Sequence, residues 1–166
     1  MKTLYLVRHA KSSWKFSELD DFDRPLNRRG KRDAPMMGQR LQQQGVLPDL
    51  IISSPAERTR QTACTLAEAM GYSSAIRYKD ELYHASPEQL LAAVQSVDDA
   101  VTTLMLVGHN PGLTALVNRF TPHLIDNVVT AGIVAIEFSA ERWAEVRANS
   151  KEQFLWYDFP KSMFKF

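Results

Sequence analysis

Three separate places in the 166-residue sequence combine basic side chains with the ends of predicted strands. Arg8 and His9 follow one short apolar run, Arg58 follows a second, and His109 follows a third. Guanidinium groups bind phosphate oxygens in pairs, and an imidazole with an unprotonated nitrogen can attack phosphorus. Taken alone, each of these basic side chains is of a kind that is common on protein surfaces and in turns. Their joint occurrence predicts a phosphoryl-binding site with a candidate nucleophile.

The three apolar runs alternate with helix-like segments along the chain. Residues 3–7, 50–53 and 103–107 have the length and apolar character of buried strands, and residues 133–159 contain two or three more. This alternation predicts an α/β fold, a three-layer sandwich in which helices flank a mostly parallel central sheet. Because such sheets bind ligands at the carboxyl ends of their strands, we expect the arginines and histidines to converge there.

Helix starts are indicated by capping patterns. The stretches that begin at Ser54 and Ser86 each place a serine before a proline, with a carboxylate or amide three residues on, and this pattern predicts a capping box. A third helix is predicted after Asn110, and its free N–H groups, with those after Ser54, would add positive potential to the site. Pro35 either kinks an earlier helix or sets its start near Asp33.

Length and composition limit the classes of function. The chain fits one domain over residues 1–166, and 20 basic against 19 acidic side chains give a net charge of +1, so we expect no nucleic-acid partner. We find no apolar run that could cross a bilayer and no signal sequence, and Cys64 alone cannot form an internal disulfide. We therefore expect a cytoplasmic monomer without a membrane partner.

The sequence predicts neither a cofactor nor a metal site. Its four histidines do not have the spacing of zinc ligands, and Cys64 is the single cysteine. Neither of the glycine-rich motifs that bind dinucleotides or nucleoside triphosphates occurs.

The motifs together resemble the histidine phosphatase superfamily, which is also called phosphoglycerate mutase-like. The similarity lies in residues 6–12, 54–62 and 108–112, in the order in which the superfamily has them. The short chain and the stretch Asp23-Arg24-Pro25-Leu26-Asn27 are most similar to SixA-type phosphohistidine phosphatases. One position departs from the pattern, since Ala10 stands where the superfamily usually has glycine.

This resemblance implies a reaction and a set of site residues. His9 would be the nucleophile that becomes transiently phosphorylated, while Arg8, Arg58 and His109 would hold the phosphoryl oxygens. Because a cationic pocket lowers the pKa of a histidine, we expect His9 to be neutral and able to attack, without a metal ion. Two further residues are candidates for substrate binding: Ser12, three positions after His9, and Asn110, directly after His109.

The proton donor for the leaving group is left open by the sequence. Glu81 falls where many relatives have an acidic donor, but a surface carboxylate in a loop is an equally good interpretation. A second candidate is the acidic loop formed by Asp20, Asp21 and Asp23.

Three functions are compatible with these residues. The first is a phosphatase that acts on phosphohistidine, including phosphohistidine on a protein. The second is a phosphatase or mutase for a small phosphomonoester, and the third is a phosphate-binding module without turnover, against which the presence of both His9 and His109 argues. Phosphohistidine is favoured because imidazole can leave as a neutral group, whereas an alkoxide needs a strong proton donor. The short stretch between Gly71 and Ser86 also leaves little room for a segment that encloses a small substrate.

Overall fold

The computed structural model describes residues 1–148 and 152–162, and the strands found there form one mixed sheet. In chain order they are β1 (Lys2–Arg8), β2 (Leu50–Ser53), β3 (Arg77–Tyr78), β4 (Thr103–Gly108), β5 (Ile133–Phe138) and β6 (Glu152–Asp158). They lie in the order β3-β2-β4-β1-β5-β6. β1 to β4 are parallel, whereas β5 is antiparallel to both of its neighbours. The predicted strands of the tail are β5 and β6, and residues 149–151 of that tail lie outside the described residues.

Helices cover both faces of this sheet: α1 (Arg28–Gln43), α2 (Glu57–Met70), α3 (Pro87–Gln95) and α4 (Gly112–Val117). α1 and α2 pack on one face, where Met37 and Leu66 lie in the same buried cluster as Val107. α3 and α4 pack on the other face, where Leu90 and Leu116 share a cluster with Leu106. Adjacent residues of β4 thus point to opposite cores, as in any strand that is buried on both sides. The predicted three-layer α/β sandwich is confirmed.

The helix starts agree only in part with the capping patterns. At α3 the hydroxyl of Ser86 accepts from the backbone N–H of Gln89, and the Gln89 side chain accepts from the N–H of Ser86, so this predicted capping box is confirmed. The capping box predicted at Ser54 is wrong, because α2 begins at Glu57 with Ala56 as its N-cap. The hydroxyl of Ser54 is used instead in a long-range contact with a histidine of the candidate site.

The earlier helix, α1, begins at Arg28 rather than near Asp33. The side chain of Asn27 caps it by accepting from the N–H of Gly30 at 2.9 Å, and the helix then continues through Pro35. α1 has 16 residues, and none of the helices in the described part of the chain has the length and apolar character needed to cross a membrane.

Strand register brings the ends of three parallel strands level with one another. Arg8 of β1 pairs with Gly108 of β4, and Ser53 of β2 pairs with Val107 of β4. The loops that follow β1, β2 and β4 therefore leave the sheet at the same edge, which is where α/β folds bind their ligands.

Candidate active site

A cavity of about 370 Å³ opens at the edge of the sheet where these three strands end. Arg8 is the last residue of β1 and His9 is the next, Arg58 lies in the first turn of α2, and His109 directly follows β4. The volume is within the usual range for small-ligand sites. The cavity is lined by Arg8, His9, Lys11, Ser12, Trp14, Asp21, Arg24, Arg58, His84, His109, Asn110 and Thr130.

Most side chains proposed from the sequence lie on this cavity, namely Arg8, His9, Ser12, Arg58, His109 and Asn110. Glu81 is not among the lining residues; it is exposed and lies in the short 3₁₀ helix Asp80–Leu82. The chain that follows this 3₁₀ helix brings His84 to the cavity instead. The acidic loop is the second candidate for the proton donor, and one of its residues, Asp21, lines the cavity.

His9 lies deep in the cavity, with 8% of its surface exposed. Its Nδ1 is 2.8 Å from the carbonyl oxygen of Ala10, and because a carbonyl only accepts, Nδ1 carries the proton in this contact. Burial, together with the charges of Arg58 and Arg8, lowers the pKa of His9 to about 4 despite that hydrogen bond. The ring is therefore neutral at neutral pH, and the lone pair lies on Nε2.

Three buried nitrogen atoms on the cavity-lining residues make no hydrogen bond within the described structure: Arg8 Nε, Arg58 Nε and His109 Nδ1. A buried polar atom without a partner costs roughly 1–3 kcal/mol, and such atoms are rare in folded proteins. An anion such as a phosphoryl group has several acceptor oxygens, which are the partners that such nitrogen atoms need if each carries a proton. Nε of an arginine always carries a proton, so what has to be decided is whether Nδ1 of His109 carries one.

The ring of His109 is 3% exposed, and its Nε2 lies 2.8 Å from the hydroxyl oxygen of Ser54. That oxygen already accepts from the backbone N–H of Ala56 at 3.3 Å, which leaves the hydroxyl proton available for Nε2. Burial, followed by the effects of His9 and Arg58, lowers the pKa of His109 to about 2, so the ring is neutral at neutral pH. The tautomer with its single ring proton on Nδ1, the nitrogen without a partner, fits this contact.

Asp21 connects the two sides of the cavity through its carboxylate. Oδ2 accepts from Arg58 Nη2 at 3.0 Å and from the Tyr83 hydroxyl at 2.6 Å, and it lies 3.1 Å from Nε2 of His84. Oδ1 accepts from Nε and Nη2 of Arg24 at 3.1 and 3.0 Å. Burial acts to raise the pKa of Asp21, but the hydrogen bonds from Tyr83, Arg58 and Arg24 outweigh it and hold the pKa well below its usual range. Asp21 is therefore ionised at neutral pH.

The two other substrate-binding candidates, Ser12 and Asn110, differ in the hydrogen bonds that their side chains already make within the protein. Ser12 Oγ accepts from Nη1 of Arg24 at 3.0 Å, and the guanidinium of Arg24 also stacks on the Trp14 ring at 3.5 Å. The side-chain amide of Asn110 accepts from Thr114 and donates to the carbonyl oxygen of Val128, so it connects the start of α4 to the loop before β5. Asn110 thus positions the loops around the cavity.

Two glycines allow the loops around the cavity to approach neighbouring helices closely. A Cβ on Gly30, in the first turn of α1, would lie 2.2 Å from the carbonyl oxygen of Lys11 in the loop after His9. A Cβ on Gly112, the first residue of α4, would lie 2.0 Å from the carbonyl oxygen of Ala85. Side chains at these positions would displace the loops that carry cavity-lining residues.

Sequence reasoning missed three residues that complete the site: Arg24, Tyr83 and His84. Arg24 belongs to a run of basic residues that the sequence alone does not distinguish from a solvated helix surface. Tyr83 and His84 reach Asp21 across more than sixty positions of the chain, and no local pattern indicates that contact. In residues 1–148 and 152–162, no group of three or more His, Cys, Asp or Glu side chains is arranged to hold a metal ion.

The model of the histidine phosphatase superfamily (branch 1) matches residues 4–87, about half of the chain. The chain belongs to the histidine phosphatase superfamily. This finding confirms the resemblance seen in the sequence motifs and identifies the protein as a phosphatase.

The chain is also similar to other proteins and to solved structures. The chain is 34% identical over 150 residues to an uncharacterized protein of Mycobacterium tuberculosis, covering 84% of this chain and 91% of the relative. Its fold is similar to that of a protein from Agrobacterium tumefaciens provisionally named phosphohistidine phosphatase SixA, with a TM-score of 0.80, 30% identity and coverage of 96% of this chain and 98% of the other. The structure of the protein histidine phosphatase SixA with tungstate has the same TM-score, 0.80, at 20% identity over 95% of this chain and 97% of the other, a likeness of fold alone.

Proposed function

We propose that this phosphatase hydrolyses phosphohistidine carried by a protein, and that the phosphoryl group passes through a covalent intermediate on His9. The observation that carries the proposal is the set of three unpartnered, buried nitrogen atoms on residues that line the same cavity as a neutral histidine. Donors without partners form a preorganised anion site, and an adjacent imidazole with a free lone pair supplies a nucleophile.

In the proposed complex the phosphoryl oxygens accept hydrogen bonds from Arg8 Nε, Arg58 Nε and His109 Nδ1. The two guanidinium groups also supply positive charge in a largely buried setting, since Arg58 is 3% exposed. Negative charge on the equatorial oxygens is greatest in the transition state of phosphoryl transfer, so fixed donors at these positions lower the barrier.

The reaction has two steps that are both centred on His9. First, the lone pair of His9 Nε2 forms a bond to phosphorus, and the bond from phosphorus to the leaving atom breaks with its electron pair remaining on that atom. Water then attacks the same phosphorus, the P–N bond to His9 breaks, and inorganic phosphate is released. Because Arg8 and Arg58 provide the charge that a metal ion supplies in other phosphatases, we propose turnover without a divalent cation.

A protein substrate is supported by the exposed apolar side chains beside the cavity entrance. Trp14 lines the cavity and is 75% exposed, and the same loop also exposes Phe16, Leu19 and Phe22. Several exposed apolar side chains on a loop that borders a polar site are typical of surfaces that contact another macromolecule. A small metabolite would be held by the cavity alone and would make little use of them.

The direct test compares kcat/KM for a phosphohistidine-bearing protein with kcat/KM for a panel of small phosphomonoesters, including sugar phosphates and phosphoserine. All assays contain EDTA, and the His9→Asn variant measures the background. The proposal predicts the highest kcat/KM for the phosphohistidine protein, with activity that persists in EDTA. A higher kcat/KM for one small phosphomonoester would favour the alternative of a metabolite phosphatase or mutase, and activity restored only by a divalent ion would contradict the metal-free mechanism.

A further inference from the structure

His84 is a titratable side chain on the cavity that takes no part in the phosphoryl contacts described above. The ring of His84 lies 5.5 Å from the ring of His109 and 4.1 Å from that of Tyr83. Its side chain is 55% exposed, whereas His9 is 8% exposed. His84 therefore lies on the solvent side of the cavity and His9 on the inner side.

This arrangement matters because phosphoryl transfer places the attacking and leaving atoms roughly in line on opposite sides of phosphorus. When Nε2 of His9 attacks from the inner side, the leaving group lies towards solvent. His84 is on that solvent side, which is the side where negative charge develops on the leaving atom.

The position of His84 is held by its surroundings. Its Nε2 lies 3.1 Å from Oδ2 of Asp21, a carboxylate that Arg58 and Tyr83 also bind. The backbone of His84 has φ of 52°, in the left-handed region that non-glycine residues rarely adopt. The next residue, Ala85, is packed against the first residue of α4, as described above for Gly112.

The other ionisable groups that face His84 are poor proton donors at neutral pH. Asp21 is ionised because its hydrogen bonds hold its pKa low, and the pKa of Tyr83 is raised by burial and by its bond to Asp21. His109 is neutral, and its ring proton is assigned to the phosphoryl contact. Histidine, in contrast, is the residue type that most readily gives and takes a proton near neutral pH.

We infer that His84, oriented by the carboxylate of Asp21, protonates the leaving group as His9 attacks phosphorus. The inference rests on the proposed covalent mechanism. In the first step the bond from phosphorus to the leaving atom breaks, its electron pair stays on that atom, and a proton moves to it from the His84 imidazolium. In the second step the neutral ring of His84 takes a proton from the attacking water, which returns His84 to its starting form.

The test uses the His84→Asn variant, because asparagine tolerates the left-handed backbone conformation but cannot transfer a proton. Its kcat/KM is measured on aryl phosphates from nitrophenyl phosphate, a good leaving group, to phenyl phosphate, a poor one. His123→Asn is the matched control, since His123 is exposed and does not line the cavity. Glu81→Gln and Lys11→Met examine the other groups that could supply the proton.

We expect His84→Asn to change kcat/KM little for nitrophenyl phosphate and to lower it by at least about 10²-fold for phenyl phosphate, which is the range for loss of a general acid. His123→Asn should follow the wild type throughout. Equal losses on every substrate, or no loss, would overturn the inference, as would a leaving-group-dependent loss in Glu81→Gln or Lys11→Met rather than in His84→Asn. Failure of the proposed function would look different, because the wild type would then form no phosphoryl intermediate on His9 with nitrophenyl phosphate.

Discussion

Nδ1 of His9 donates a hydrogen bond to the carbonyl oxygen of Ala10, the next residue in the chain, over 2.8 Å. This contact selects the neutral tautomer with its lone pair on Nε2, so the proposed nucleophile is prepared before substrate binds. Ala10 stands where the superfamily usually has glycine, and its methyl group is fully buried in the cluster beneath α1 and α2. The core therefore accommodates the extra methyl group beside the site.

The first prediction concerns the protonation of His9. Burial and the charges of Arg58 and Arg8 lower its pKa to about 4, so its ring should remain neutral as the pH falls through the range in which an ordinary histidine becomes charged. An NMR titration of ring-labelled histidine, with His9→Asn used to assign the signal, measures this directly. A midpoint for His9 at or above that of an ordinary histidine would contradict the prediction.

Arg58 should be far more sensitive to substitution than its neighbour. Arg58→Lys keeps a positive charge but removes Nε and the planar fork, so kcat/KM should fall by at least about 10²-fold, as for loss of a preorganised donor. Arg60→Lys is the matched control, because Arg60 is exposed on the same helix and its guanidinium stacks on Tyr78 outside the cavity. Similar activity in the two variants would show that charge near α2, rather than directed hydrogen bonds, is what the reaction uses.

The sequence predicts the parts of this molecule that depend on local pattern and chain order. Apolar runs and helix signals are enough to predict a mostly parallel sheet with Arg8, His9 and His109 at its strand ends. The capping pattern at Ser54 leads to a wrong helix start, since α2 begins at Glu57 and the serine hydroxyl contacts His109, fifty-five residues away. Contacts of this kind depend on how loops fold across the sheet, and spacing along the chain does not indicate them.

The convergence on Asp21 could not be predicted for the same reason. The sequence places Asp21 in an acidic loop among solvated neighbours, and only the fold brings Arg58, Tyr83 and His84 to its carboxylate. Glu81, the acidic residue suggested by sequence position, lies outside the cavity lining. A difference of three positions along the chain thus decides which side chain lines the cavity.

The apolar loop beside the entrance should affect protein substrates selectively. The double variant Phe16→Ala, Leu19→Ala removes two exposed side chains that do not line the cavity. We expect a higher KM for a phosphohistidine protein and unchanged kinetics with nitrophenyl phosphate, because the catalytic groups stay in place. Leu47→Ala is the control, since Leu47 is 56% exposed but precedes β2 at the opposite edge of the sheet. An unchanged KM for the protein substrate would argue against docking at this loop.

Gly30 should be required for stability as well as for the site. In an ordinary helix the change from glycine to alanine stabilises, by up to roughly 1 kcal/mol. Here the added Cβ would lie 2.2 Å from the Lys11 carbonyl oxygen, so Gly30→Ala should instead lower the free energy of unfolding by about 1–3 kcal/mol, as overpacking does. Urea denaturation measures the difference, and a stabilised variant would show that the loop after His9 is not held by this contact.

The most direct test of the covalent mechanism is to trap the enzyme during turnover. The protein is mixed with a phosphorylated substrate, denatured at alkaline pH within the first turnover, and digested so that the modified residue can be located by mass spectrometry. The account predicts an acid-labile phosphoryl group on His9 in the wild type and none on this peptide in His9→Asn, which should be folded and inactive. Phosphate found only on another residue, or full activity in folded His9→Asn, would contradict it.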